Sequence, residues 1–548
     1  MKRVWIAAIA ATAFASCNGV AGWFGNKEDS TQTTEVAMET SASQRDFSIT
    51  EANAYSDLFV DSAALETYIQ KENITGADAS AMRSFYGVRN YGYAWMASDG
   101  LTDEARGFWN LYKSEDADKD EDASQDKALR TKVDTLLQRD SLFITADDSM
   151  AIQTELGLTA AFVKYAGENN NTIGINRNNF YYAVPAKKID ATQWVDSLLN
   201  KQKDTAQYAG NTAYSGLKAQ LKVYNEAAKS GGWSVIPTGS VLRKGVASPA
   251  VTVLKKRLIA TGDYVATDTS NLFSDSLQSA IRTVQQRHGL ATSGNVNDSL
   301  INALNVPVET RLQQLLVNMN RAKWMPASTD SNRIEVNIPS FMLYAYNGTN
   351  KTLDMPVVVG KEGASTLMFQ GAINQVVFSP YWNIPRSIVE SEIMPAMKKD
   401  AAYLKKRNME IVSKGDSIPT IRQLPGAENA LGKVKFLFPN SYDIFLHDTP
   451  AKSLFGMSNR ALSHGCIRVA KPDSLAAFVL RSQNDWTPQK IAAAMNAGKQ
   501  QEVSVSKPVP VSITYYTAWI DAQGGLNFRD DVYAHDKSSM QKLFATGG

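Results

Sequence analysis

The chain is poor in the residues that carry most protein chemistry. Its 548 residues include two cysteines, Cys17 and Cys466, and four histidines, His288, His447, His464 and His535. Two cysteines exclude a disulfide framework, and so few histidines leave little from which to build a metal site. Charge of one sign is also missing. The formal net charge is +2, and no basic run is interleaved with aromatics, so nucleic acid is not an expected partner. Beyond the first residues, no stretch is apolar enough to cross a membrane. At roughly 100–200 residues per domain the length allows about three or four folding units.

The N-terminus carries the clearest targeting signal. Lys2 and Arg3 precede a short apolar run, Val4 to Phe14, the pattern of a secretory signal too short to span a bilayer. Phe14-Ala15-Ser16-Cys17 is a relaxed lipobox, while Ala13-Phe14-Ala15 fits ordinary cleavage. The expectation is a lipoprotein signal over 1–17 with lipid on Cys17, cleavage after Ala15 being the alternative. The protein would then work in the cell envelope, facing the periplasm and held to a membrane, the outer one for preference, only through its N-terminal lipid. With Cys17 acylated, Cys466 is left as a lone exported thiol. Such a thiol marks either a reactive group or a buried structural one.

Composition and periodicity divide the remainder. Residues 18–48 are rich in Ser, Thr, Gln, Asn and Glu and read as a flexible tether. Residues 49–235 show helical spacing and form an expected helical scaffold domain, with the aromatic run Asn90-Tyr-Gly-Tyr-Ala-Trp95 in its core. Residues 236–306 predict three short helices, and 307–332 a linking helix. From Arg333 the pattern alternates, as in Ile334, Val336 and Ile338, so a mainly-β domain is expected over 333–500, interrupted by an insertion at about 375–424. A C-terminal β extension is expected over 501–548. The fold class is thus multidomain α+β.

Within 236–306, Leu242-Arg-Lys-Gly245, Pro249-Ala-Val251, Val284-Gln-Gln-Arg-His-Gly-Leu290 and Ile301-Asn-Ala-Leu-Asn-Val-Pro307 resemble the three-helix peptidoglycan-binding module. His288 has no second His or Cys nearby and reads as a structural histidine, not a zinc ligand.

Chemistry concentrates further on. Ile444-Phe-Leu-His447-Asp-Thr-Pro450 ends an expected strand, and Arg460-Ala-Leu-Ser463-His464-Gly465-Cys466-Ile-Arg468 is a loop entering another apolar element. A thiol is a weak nucleophile until it loses its proton, and an imidazole can take that proton and return it to a leaving amine. Backbone N–H groups at Gly465 and Cys466 could hold an oxyanion. A cysteine and a histidine 19 positions apart suit a peptidase, a transpeptidase or a metal site. Metal is disfavoured because His464 lies two residues from Cys466 and no fourth ligand is evident.

His447, fifteen intervening residues and then Ser463-His464-Gly465-Cys466 resemble the signature of the YkuD-type L,D-transpeptidases. Tyr381-Trp-Asn-Ile-Pro385, Asn429-Ala-Leu-Gly432, Phe438-Pro-Asn440 and Tyr516-Thr-Ala-Trp519 are similar to the large Gram-negative, YcbB-like subfamily. The resemblance implies Cys466 as nucleophile, His447 as proton donor and acceptor, His464 in support, and Gly465 with Cys466 as the oxyanion backbone. Arg468 and Ser463 become candidate substrate contacts. It also implies 3→3 crosslinking of peptidoglycan stem peptides with release of D-alanine, without cofactor or metal, and other wall-synthesis proteins as possible partners. An L,D-carboxypeptidase or a wall-to-protein attachment enzyme would use the same cysteine, and a non-catalytic wall-binding protein would need only the three-helix module. Phe445 stands where a tyrosine is expected, and Ser365-Thr-Leu367 where many relatives have Thr-Pro.

Overall fold

The computed structural model describes residues 45–545, apart from 116–123, 138–142, 169–172, 201–210, 240–241, 266–269, 326–331 and 414–416. Cys17, the signal segment and the tether as far as residue 44 lie outside the described residues. Among the described residues no helix is long and apolar enough to cross a membrane.

Polar caps and apolar faces set the helical domain. Asp61, Asp148 and Asn211 accept hydrogen bonds from the first free N–H groups of helices Ser62–Lys71, Ser149–Gly167 and Thr212–Lys229. The aromatic run folds inward as expected. Trp95 is fully buried with its ring centroid 5.1 Å from that of Phe162, which in turn lies 5.0 Å from Phe108. A two-residue hairpin, β1 (Met96–Ala97) and β2 (Gly100–Leu101), follows it.

The helix Val308–Lys323 is not a linker. Leu312, Leu315, Leu316, Met319 and Ala322 belong to the core of the helical domain. Trp324, just past its end, presses so closely on Gly107 that a Cβ there would lie 2.5 Å from the indole. Beside these contacts Arg321 is buried between Asp103, at 2.7 Å, and Asp536 of the C-terminal tail. Removing one partner from such a buried pair costs about 3–5 kcal/mol, because it strands a charge.

The three-helix module comprises Pro249–Ala260, Asp275–Arg287 and Asp298–Leu304, closed over Val251, Leu254, Leu258, Leu277, Ile281 and Leu300. His288 lies against the Phe528 ring, and its Nδ1 is 2.9 Å from the Val284 carbonyl.

The β domain is built on the strands β3 (Asn332–Asn337), β4 (Met342–Asn347), β5 (Asn350–Gly360), β6 (Phe369–Phe378), β10 (Val434–Leu437), β11 (Leu446–His447), β12 (Ala461–Ser463), β13 (Ile467–Val469) and β14 (Gln501–Thr514). They form a nine-stranded sheet ordered β12-β5-β13-β11-β10-β6-β14-β3-β4. Because β4 pairs with both β3 and β5, the sheet closes on itself. Alternate residues point into the core, among them Ile334, Val336, Val376, Phe436, Leu446 and Ile467. The strand β14 runs between β6 and β3, so the segment expected to begin a C-terminal extension at residue 501 is central to the sheet. The insertion also differs from expectation. Gln375 to Phe378 pair with β10 and β14, and the inserted chain leaves the sheet only after them. It carries a small sheet of β7 (Trp382–Asn383), β8 (Met409–Ser413) and β9 (Thr420–Gln423), and its own core of Ile384, Val389, Ile393 and Ile421.

Candidate active site

The parallel strands β11 and β13 create the site. Leu446 pairs with Ile467 and His447 with Arg468. The paired leucine and isoleucine point into the core, so His447 and Arg468 point away from it. Cys466 immediately precedes Ile467 and, by the two-residue alternation, emerges on the side of His447 and Arg468. On β10, Lys435 is opposite His447, and on β5, Val358 is opposite Arg468. A registered row of Lys435, His447 and Arg468 thus crosses three strands beside the thiol.

Burial sets the protonation states. His447 is 4% exposed, and its Nδ1 donates to the Asp448 carbonyl at 2.5 Å, leaving Nε2 as the acceptor of a neutral ring. Burial first, and then the nearby Arg468, lower its pKa to about 4. Burial pushes the Cys466 thiol up to about 11, against the opposing effects of a backbone hydrogen bond from Phe445 and of the Arg468 and Lys435 cations. The resting pair is therefore a thiol and a neutral imidazole, not an ion pair. The sulfur lies 3.5 Å from the Asp443 carbonyl, and no sulfur–imidazole hydrogen bond is present among the described residues.

The loop before Cys466 fastens itself by its own backbone. Ser463 Oγ donates to the Cys466 carbonyl at 2.6 Å and accepts from the Gly465 N–H at 3.2 Å. Thr366 Oγ1 donates to the Gly465 carbonyl at 2.7 Å. Gly465 has φ of +109°, a backbone that side-chain-bearing residues rarely adopt.

These contacts change several expected roles. Ser463 is buried and occupied by the loop, so it is not placed to contact substrate. The Gly465 N–H is likewise engaged, whereas the Cys466 N–H has no acceptor among the described residues. His464 pairs with the insertion. It is half-exposed and its Nε2 lies 3.1 Å from Glu392 of the insertion. Arg468 is half-buried, and its Nε has no hydrogen-bond partner among the described residues. Sequence reading missed Lys435 and Glu392, and it met Thr366 only within Ser365-Thr-Leu367, with no role. Lys435 alternates with Val434 and Phe436 in a strand, which reads as an ordinary solvent-facing lysine, yet it is half-buried and its ammonium is 5.7 Å from the Phe445 ring centroid. Among the described residues no group of three His, Cys, Asp or Glu side chains could hold a metal ion.

Residues 331–511 match the YkuD family, described as "L,D-transpeptidase catalytic domain"; residues 80–221 match a "Scaffold domain"; and residues 247–304 match a "Putative peptidoglycan binding domain". A protein of Haemophilus influenzae named "Putative L,D-transpeptidase" is 32% identical over 241 residues, covering 41% of this chain and 48% of that protein. The chain thus spans about half the length of this curated relative. Among solved structures, an L,D-transpeptidase from Xylanimonas cellulosilytica is 14% identical, covering 50% of this chain and 98% of the other, with a TM-score of 0.17. Another from Stackebrandtia nassauensis is 16% identical, covering 44% and 90%, with a TM-score of 0.20. At such scores these structures add nothing to the family match. Residues 331–511 are an L,D-transpeptidase catalytic domain of the YkuD type, carried in one chain with a helical scaffold domain and a peptidoglycan-binding domain.

Proposed function

We propose that this protein is a peptidoglycan L,D-transpeptidase acting through a Cys466 thioester. The thiol attacks the carbonyl of the third residue of a tetrapeptide stem while His447 Nε2 takes its proton. The Cys466 N–H receives the developing oxyanion. Collapse breaks the amide bond, and His447 passes its proton to the departing D-alanine amine. A side-chain amine of a neighbouring stem then attacks the thioester, loses its proton to His447 and leaves a 3→3 crosslink with the thiol restored. Arg468 offers a planar fork suited to a stem carboxylate, and Lys435 adds a second positive charge on the same face.

The observation that supports this reading is the register of β11 and β13, in which His447 pairs with Arg468 two residues after Cys466, within the matched residues 331–511. The inserted subdomain, which touches the nucleophile loop through Glu392 and His464, would restrict water and favour the amine acceptor. The test is mass spectrometry of products from disaccharide-tetrapeptide. Wild type should release D-alanine and form tripeptide-linked dimers, and Cys466→Ala should form none. Tripeptide monomer as the only product would instead make the enzyme an L,D-carboxypeptidase. Dimers formed by the alanine variant would sink the mechanism. Lipid attachment at Cys17 and an envelope location are part of the same proposal, and Cys17→Ala should lose labelling by radioactive palmitate.

A further inference from the structure

We infer that Thr366 and Tyr533 are positioning residues that aim the Cys466 N–H at the reacting carbonyl, and that part of this brace comes from outside the matched catalytic domain. The inference rests on the transpeptidase reading only in taking Cys466 as the nucleophile.

Three successive peptide groups in the loop contain the N–H of Gly465, the carbonyl of Gly465 with the N–H of Cys466, and the carbonyl of Cys466. Ser463 Oγ holds the first and the third, at 3.2 and 2.6 Å. Only Thr366 holds the second, by donating to the Gly465 carbonyl at 2.7 Å. In a planar trans peptide the C=O and the N–H point in opposite directions. Fixing the Gly465 carbonyl therefore fixes where the Cys466 N–H points. That N–H is the one donor of the loop backbone between Gly465 and Ile467 left without an acceptor among the described residues.

Thr366 is itself held from two sides. Its Oγ1 accepts from the Gly360 N–H at 2.9 Å, and its own N–H points to the Tyr533 hydroxyl at 3.3 Å. That hydroxyl donates to the Gly360 carbonyl at 2.6 Å. Gly360 leaves no slack, since a Cβ there would lie 2.1 Å from the Ala364 carbonyl oxygen. Tyr533 stands beyond residue 511, where the catalytic-domain match ends. Its N–H donates to the Tyr515 hydroxyl at 2.7 Å, and that hydroxyl donates to Asp531 at 2.7 Å. The Tyr515 carbonyl accepts from Arg321 at 3.4 Å, and Arg321 pairs with Asp103 of the helical domain. Hydrogen bonds thus link, residue to residue, Asp103 of that domain through Arg321, Tyr515, Tyr533 and Thr366 to the peptide plane before the nucleophile.

Two reactions of one thiol separate aim from folding. Acylation by p-nitrophenyl acetate passes through an oxyanion and needs the Cys466 N–H. Alkylation by iodoacetamide displaces iodide, forms no oxyanion and needs only the sulfur. Thr366→Val should lower the acylation rate constant about tenfold or more, chiefly in kcat and not KM, while alkylation stays within about twofold and the melting temperature holds. Thr366→Ser, which keeps the hydroxyl, should restore acylation. Tyr533→Phe should show a smaller loss with the same selectivity. Unchanged acylation in Thr366→Val would overturn the inference, and so would acylation and alkylation falling together. The ester is not a wall fragment, so the brace is judged even if wild type releases no D-alanine from tetrapeptide, an outcome that would overturn the substrate reading alone.

Discussion

His447 and His464 lie within twenty residues of Cys466 and in opposite surroundings. His447 ends a buried strand, its ring held by the Asp448 carbonyl and its pKa lowered to about 4. His464 is itself half-exposed, and its Nε2 lies 3.1 Å from Glu392 of the insertion. His464 is far nearer to Cys466 in sequence, but His447 shares its face of the sheet because β11 and β13 are parallel neighbours. Register, not sequence distance, decides which imidazole shares the thiol's face of the sheet.

The sharpest way to break this contrast is to remove each ring. His447→Gln should lower the rate of D-alanine release by about 10²–10⁴-fold, the range for a lost acid–base group, with little loss of circular-dichroism signal. His464→Gln should stay within a few-fold on the same assay, and a loss as large as that of His447→Gln would erase the distinction. A pH profile sharpens it next. A ring with a pKa near 4 is neutral, and able to accept a proton, at every pH above that value. The acid limb of kcat/KM should therefore fall near pH 4, not near the ordinary histidine value of about 6.5. Iodoacetamide alkylation of Cys466 should keep rising well above pH 9, because the thiol is pushed up to about 11. A plateau already reached at neutral pH would mean a preformed thiolate–imidazolium pair. A smaller effect is expected at the neighbouring cations. Arg468→Met and Lys435→Met should each raise KM for tetrapeptide about tenfold, the scale of one lost charge-assisted hydrogen bond. The smallest concerns the insertion. Glu392→Gln should leave D-alanine release nearly unchanged and shift product modestly from dimer to hydrolysed tripeptide, as read by chromatography.

The same contrast separates what the sequence made legible from what it hid. Alternation at Ile334, Val336 and Ile338 announces the β domain, and the short runs between Leu242 and Pro307 announce the three-helix module. Both are local patterns. The sequence of the helix Val308–Lys323 does not say what covers it, and its cover comes from the helical domain and the C-terminal tail. Cys466 and His447 were legible as residue types in a motif. The duties of Ser463 and Gly465 were not, because they depend on which way individual peptide planes face. The roles of Thr366 and Tyr533 are hidden for a related reason. Their hydrogen bonds join positions 99 and 173 residues apart in the chain, so no local pattern announces them.

The most direct test of a Cys466 thioester is intact-protein mass spectrometry after brief mixing with disaccharide-tetrapeptide, followed by peptide mapping. The account predicts a transient gain equal to the disaccharide-tripeptide acyl group, located on Cys466, discharged by an added amine and stabilised in the absence of an acceptor. An adduct mapped to any other residue, or D-alanine released with no covalent intermediate under conditions that slow its discharge, would contradict it.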